Sequence, residues 1–255
     1  MISVTLLGAG NVATHLFKAF KTSNQITVKQ WFNRNIDAIS TYKSEVEITD
    51  NIDALEAADV FIIAVSDNAV ANVSKSLTVK NQLVVHTSGS VNVHDLDKKH
   101  RRGVFYPLQS FSKKSTLNFA DVPICIETLN KSDYPILKTL ATAIGSPVKK
   151  INSDQRRVLH LAAVFVNNFT NQMYRIAHEI VESEAAEFDL LKPLILETAK
   201  KVQDMSPYMA QTGPAKRNDT KTINKHIAIL EDEQHQEVYK LLTQSIQNTH
   251  GRFSK

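Results

Sequence analysis

The first residues in the chain with chemistry in them are Gly8-Ala9-Gly10-Asn11-Val12-Ala13. This Gly-x-Gly-x-x-Ala run follows the apolar segment Ile2–Leu7 and opens the helically spaced stretch Val12–Lys21. Between a strand and a helix, that spacing builds a cradle for phosphate. Gly8 permits a tight turn, Gly10 lets a pyrophosphate approach the backbone, and Ala13 lets the helix pack closely on the strand. The helix start, with Asn11 and Val12, adds free N–H groups and the positive end of the helix dipole.

About 20 residues further on, folds that select NAD carry an acid for the ribose 2′-hydroxyl. Here the strand-like Ile26–Phe32 ends in Asn33-Arg34, with no acid before Asp37. Arg34 offers paired donors to a 2′-phosphate and a flat face to adenine. Asn33 can hydrogen-bond the ribose without repelling that phosphate. The expected cofactor is therefore NADP. Ligands of open α/β sheets sit beyond the carboxyl ends of the strands, which brings in Val65-Ser66-Asp67 after Val60–Val65 and Ser88-Gly89 after Leu83–His86. Asp67 reads either as a cofactor neighbour or as a helix N-cap. Ser88 and Gly89 are expected at the nicotinamide or substrate. His86, inside an apolar strand, reads as a hydrogen-bonded core histidine.

The second half carries its own exceptions. Val158–Phe169 is apolar nearly all round apart from His160, Asn167 and Asn168, so it is expected to be a buried helix. A buried polar group needs a partner or a ligand. His160 and Asn167, two turns apart with Ala163 between, read as pocket-lining residues or as a structural pair. Beyond Thr212-Gly213-Pro214, Arg217 or Lys216 reads as the partner of a substrate carboxylate, or Arg217 as the partner of Asp219, which suits the cap of a helix over Thr220–Leu230. A chemical reading gives His160 as acid, Asn167 and Ser88 as orienting donors, Gly89 and Asn168 as substrate-lining residues, and Arg217 as anion partner. Tyr134 and Lys138 have the Tyr-x-x-x-Lys spacing of another dehydrogenase class, but Pro135 sits badly for that helix.

The elements that must hold these residues alternate. Strand patterns at Ile2–Leu7, Ile26–Phe32, Val60–Val65, Leu83–His86 and Gly103–Tyr106 are separated by helical spacing at Val12–Lys21, Ile36–Lys43, Ile52–Ala57 and Asn68–Leu77. Pro123–Glu127, Ser132–Ile144 and Pro147–Ile151 add strand, helix, strand. From Ser153 only helical patterns remain: Gln155–Glu184, Leu190–Val202 and Glu233–Asn248. The expectation is an α/β Rossmann-type doubly wound, mostly parallel sheet over 1–152, followed by an all-helical domain over 153–255.

Composition narrows the class. The chain is 42% hydrophobic and 22% charged, as in an ordinary globular protein. No apolar run reaches the roughly 18 residues of a membrane span, and the N-terminus does not resemble a secretory signal. The single cysteine, Cys125, fits a reducing, cytoplasmic setting and offers no multi-cysteine metal site. The net charge of +4 is scattered. Its densest groups, Lys98-Lys99-His100-Arg101-Arg102 and Lys113-Lys114, lack interleaved aromatics, which argues against nucleic acid.

Taken together, the glycine loop, Asn33-Arg34, His86-Thr87-Ser88-Gly89, Tyr106-Pro107-Leu108-Gln109-Ser110-Phe111, His160 through Asn168, and Thr212-Gly213-Pro214 with Arg217 and Asp219 mark a resemblance. The chain resembles the bacterial Rossmann-like oxidoreductases grouped with deazaflavin-dependent NADP oxidoreductases, and most closely a subgroup known as a domain of unknown function. Pyrroline-5-carboxylate reductase and 6-phosphogluconate dehydrogenase are wider relatives. The resemblance implies an NADP domain, a helical domain that forms a homodimer, and an active site between the two. Some relatives reduce 2-oxo acids such as ketopantoate. The chain departs from the Lys-x-x-x-Asn helix pair of the 3-hydroxyacid dehydrogenases, offering His160 and Asn167 instead. Hydride transfer between NADPH and a C=O or C=N carbon of a small anionic metabolite is the expected function. The alternative is an NADPH-binding sensor or scaffold acting through its helical domain.

Overall fold

A computed structural model of the chain describes residues 1–113 and 115–251. Lys114, half of the Lys113-Lys114 pair, and residues 252–255 of the expected helical domain lie outside the described residues. The chain divides into two compact units, Met1–Asn167 and Asn168–Lys255.

The first unit is built on one sheet. Its strands are β1 (Ile2–Leu7), β2 (Ile26–Phe32), β3 (Glu47–Thr49), β4 (Val60–Ile63), β5 (Leu83–His86), β6 (Arg101–Pro107), β7 (Ile124–Thr128) and β8 (Val148–Lys150). They lie in the order β3-β2-β1-β4-β5-β6-β7-β8. All pairs are parallel except β6 with β7. The expected fold class is the one found.

Burial on both faces explains the apolar runs. In β4, Val60 and Ile62 enter one core cluster and Phe61 and Ile63 the other, as the two-residue period of a strand requires. On the first face, α1 (Asn11–Lys21) brings Leu16, Phe17 and Phe20. On the second, α2 (Asp67–Ser76) brings Val70. The first face also takes Leu137, Leu140 and Ala141 of α3 (Tyr134–Thr142). Each of the Val, Leu and Phe side chains among these contributes about 1.5–3 kcal/mol by leaving water.

Two expected helices are shorter and tighter. Ile36–Lys43 and Ile52–Ala57 become 3₁₀ turns over Ile36–Tyr42 and Ile52–Ala54. The Asn35 and Asn51 side chains accept from the Asp37 and Asp53 N–H groups, a local bond that competes with longer helix. Strand β3 was not expected.

The first unit ends in α4 (Ser153–Ala163) and a wider π turn over Val164–Phe169, which runs into the second unit. The Asn152 and Gln155 side chains cap α4 reciprocally. The expectation that Val158–Phe169 is buried is corrected: Val158, Leu161 and Val166 are exposed. This helix packs by Arg156, which is buried, and by Leu159, which lies against the small cluster of Val104, Tyr106 and Cys125.

The second unit is helical: α5 (Thr170–Ser183), α6 (Lys192–Asp204), the single turn α7 (Pro207–Ala210), α8 (Thr220–Ile229) and α9 (Glu233–His250). Asp219 caps α8 as expected, accepting from the Thr222 N–H. His226 and the Tyr239 hydroxyl, 2.9 Å apart, join α8 to α9. His235 Nε2 lies 3.3 Å from Glu179, joining α9 to α5. Among the described residues, no helix is long and apolar enough to cross a membrane.

Two stability predictions follow from the sheet. Gly8 has φ +114°, and a Cβ there would lie 2.2 Å from the Ala64 carbonyl oxygen. Gly8→Ala is expected to cost about 2–3 kcal/mol in urea denaturation; an unchanged midpoint would refute the argument. His86 is fully buried and accepts from the Ser88 N–H at 3.2 Å through Nδ1. Burial, helped by the Arg156 guanidinium, pushes its imidazole down to about 3. Folded His86 stays neutral while the unfolded chain takes a proton near pH 6.5. Its contribution to stability is therefore present above pH 6.5 and falls by up to about 1.4 kcal/mol per pH unit between pH 6.5 and 3. His86→Gln should flatten that acid limb, read as the unfolding free energy against pH.

Candidate dinucleotide and substrate site

The turns after β1, β2 and β4 converge on a cleft of about 1080 Å³. Strand order reverses beside β1, which lies between β2 and β4, and such a switch point opens a crevice at the carboxyl edge of the sheet. Gly8, Gly10, Asn11, Val12, Asn33, Arg34, Val65 and Ser66 all line it. The loop is held from beneath. The Gly8 N–H donates to the Phe32 carbonyl at 2.9 Å, and the buried Trp31 indole N–H donates to the Gly8 carbonyl at 2.6 Å.

Gly8 and Gly10 are glycines for different reasons. Gly8 is demanded by the fold. Gly10 has an ordinary φ of −76°, and a Cβ there would meet nothing nearer than 4.0 Å. The space it leaves belongs to the cleft. No side chain caps α1, and its first turn holds no acid. An uncapped helix start beside an unneeded glycine fits a pyrophosphate group.

At the other end of the cleft, the Asn33 N–H donates to the Thr49 carbonyl at 3.1 Å. The Asn33 amide group donates to the Asn35 carbonyl at 2.7 Å, which leaves its side-chain oxygen as the acceptor to offer. Arg34 is exposed. Two further lining residues, Asp50 and Phe111, had no role assigned from the sequence. The Asn11 side chain donates to the Phe111 carbonyl at 2.8 Å, and His15 Nε2 lies 2.9 Å from the Ser112 carbonyl oxygen. The loop after β6 is thus pinned across the start of α1.

His160 stands at the same edge of the sheet, against the ends of β5 and β6. Its Nδ1 lies 3.2 Å from the Tyr106 hydroxyl. A Cβ on Gly89 would fall 2.7 Å from the His160 ring, so only glycine lets the imidazole pass. Burial pushes the Tyr106 phenol up to about 12, so it keeps its proton. The hydroxyl and Nδ1 share one hydrogen bond, whose donor depends on the imidazole tautomer, and Nε2 is the ring nitrogen left for another partner. In the sequence Tyr106 stood in the run that marks the resemblance, with no role assigned to it.

Other expected residues take different places. Ser88 Oγ accepts from the N–H groups of Ser90 and Val91, each at 3.1 Å, so it shapes the turn that carries Gly89. Asp67 is not the N-cap of α2; that position belongs to Ser66, and Asp67 accepts from the Ser90 hydroxyl. Asn167 is exposed in the π turn. Asn168 and Arg217 are exposed residues of the second unit. Arg156, one turn before His160, is 1% exposed. It donates to Glu127 at 2.6 Å, to Ser153 at 3.1 Å and to the Val91 carbonyl. Among the described residues, no group of His, Cys, Asp and Glu is placed to hold a metal ion.

Residues 3–89 match the family described as NADP oxidoreductase, coenzyme F420-dependent, and residues 122–246 match the domain of unknown function DUF2520. No curated protein matches the chain. A Bacteroides fragilis protein, an NADP oxidoreductase by assignment only, is 36% identical, with 97% of this chain and 98% of that chain covered and a TM-score of 0.86. Two more distant structures share the fold. Pyrroline-5-carboxylate reductase from Coxiella burnetii has 16% identity, 100% and 99% coverage and a TM-score of 0.56. A reductive aminase from Aspergillus terreus, solved with NADPH and ethyl levulinate, has 14% identity, 99% and 95% coverage and a TM-score of 0.71. The chain belongs to the NADP-dependent oxidoreductase family that joins an F420-dependent-type NADP domain to DUF2520.

Proposed function

We propose that the chain transfers hydride between NADPH and the C=O or C=N carbon of a small anionic metabolite, with 2-oxo acids the first class to test. The observation that carries the reading is the His160–Tyr106 pair at the carboxyl edge of the sheet that also bears the dinucleotide cleft. Bound NADPH supplies the hydride. The chain's residues hold the cofactor and deliver a proton. Gly10 and the N–H groups at the start of α1 receive the pyrophosphate, and Arg34 takes the 2′-phosphate, with the Asn33 side-chain oxygen toward the ribose. Val65 and Ser66 line the cleft between these groups, and Asp67 holds the neighbouring turn through Ser90.

In this reading the protonated imidazole of His160 gives its Nε2 proton to the substrate and returns to neutral imidazole, while Nδ1 stays hydrogen-bonded to the Tyr106 hydroxyl, which positions the ring. Ser88 and Gly89 position the turn against the imidazole. Asn167 and Asn168 serve as polar groups toward substrate, and Arg217 is the anion partner. A second copy of the chain covers the exposed apolar residues Val158, Leu161 and Val166, the counterpart of the homodimer that the family resemblance implies.

The decisive experiment is NADPH oxidation over a panel of 2-oxo acids, imines and aldehydes. His160→Ala should lower turnover about 100-fold with NADPH binding intact. Tyr106→Phe should lower it about tenfold and shift the pH–rate profile, since the hydrogen bond at His160 Nδ1 is lost. Tight NADPH binding with no acceptor reduced would favour a sensor instead. For the cofactor loop, Gly10→Ala should weaken NADPH about tenfold while the unfolding free energy from urea denaturation changes by less than about 1 kcal/mol. Equal loss of stability and binding would contradict the role given to Gly10.

A further inference from the structure

The register of β2 with β3 pairs Phe32 with Thr49. The residues just past these strand ends are Asn33 after β2 and Asp50 after β3; the Asn33 N–H donates to the Thr49 carbonyl, which brings both to the same end of the cleft at the carboxyl edge. Asn33 occupies the place where an acid would grip a ribose diol. The acid is absent from β2, yet one stands a strand away and lines the same cleft.

Asp50 has no structural duty that would explain it. The following turn is started by the Asn51 side chain, which accepts from the Asp53 N–H, and Thr49 Oγ1 accepts from the Asn51 N–H at 3.1 Å. Among the described residues, neither Asp50 nor Arg34 has a side-chain hydrogen bond or an ion pair, with each other or elsewhere. Two uncommitted charges of opposite sign therefore border one end of the cleft.

We propose that Asp50 is a specificity-determining residue: its carboxylate accepts the ribose hydroxyls of NADH and opposes the 2′-phosphate of NADPH. The cleft takes both dinucleotides, and the balance between Arg34 and Asp50 sets their ratio. A carboxylate with two free acceptor oxygens suits vicinal hydroxyl donors. The same charge beside a dianionic phosphate is repulsive, and discrimination by a repulsive element is a general device. The side-chain oxygen left open on Asn33 serves either ligand. This inference rests on the dinucleotide reading of the cleft.

The test is direct binding of NADPH and NADH, followed by the fluorescence of the reduced nicotinamide at fixed ionic strength. Asp50→Asn should weaken NADH about tenfold and tighten NADPH by about threefold or more. Arg34→Ala should weaken NADPH at least tenfold and leave NADH within about twofold. Asp53→Asn, a neutralised acid outside the cleft lining, should move neither by more than about twofold. Urea midpoints confirm that each variant is folded. If the unaltered chain binds neither dinucleotide, the reading of the cleft itself fails. If it binds NADPH but not NADH, or if Asp50→Asn shifts both ligands alike or neither, the cleft reading stands and the role of Asp50 is overturned.

Discussion

The turn after β1 has to pass over the end of β4, where the Ala64 carbonyl leaves no room for a side chain at Gly8. This close approach follows from the parallel pairing of β1 with β4, which brings Leu7 level with Ile63. Once the turn is forced down onto the sheet, Trp31 can reach the Gly8 carbonyl from below, and α1 must start where the turn ends. The helix start and the cleft mouth are thus fixed by backbone packing before any ligand is considered. The indole hydrogen bond is buried, so losing it would leave a carbonyl and an N–H unpaired at a cost of about 1–3 kcal/mol.

A second constraint governs the chemistry end. Arg156 places a guanidinium inside the protein, which is costly unless its charge and donors are matched. Glu127 on β7, Ser153 and the Val91 carbonyl meet that need. Those bonds tie α4 to the sheet and to the turn that follows β5. His160 lies four residues after Arg156, on the same side of the helix, so the lock that holds Arg156 also sets the imidazole against Gly89 and Tyr106. A change at Glu127 would therefore reach His160 without touching it.

The sheet could be read from the sequence because its strands are apolar on both faces, and few other environments tolerate Val60-Phe61-Ile62-Ile63. The glycine loop was legible because its spacing is dictated by backbone geometry. Elements set by one side-chain bond were not: the turns begun by Asn35 and Asn51 look helical by spacing, and three-residue β3 falls below what periodicity can resolve. Asp50 stayed hidden with β3, since its place at the same end of the cleft as Asn33 comes only from strand pairing. Tyr106 stayed hidden because its partner lies 54 residues away. The apolar pattern over Val158–Phe169 identified a surface that needs cover, but pattern alone does not say whether the cover comes from the same chain.

The two ends of the site therefore differ in kind. Much of the dinucleotide cleft is backbone: N–H groups, a missing Cβ and a helix dipole, all of which survive most changes of side chain. The His160 end is side chain throughout, held by a buried charge, a phenol and a glycine that are far apart in sequence. Backbone sites leave short, regular signatures, whereas side-chain sites leave single letters whose meaning appears only when strands and helix come together. That is why the cofactor can be argued from a dozen residues near the N-terminus, while the substrate depends on groups that only the folded chain assembles. In the function proposed, selection between cofactors would shift by one charge at Asp50 or Arg34, whereas moving the proposed proton donor would require rebuilding the contacts that hold α4 on the sheet.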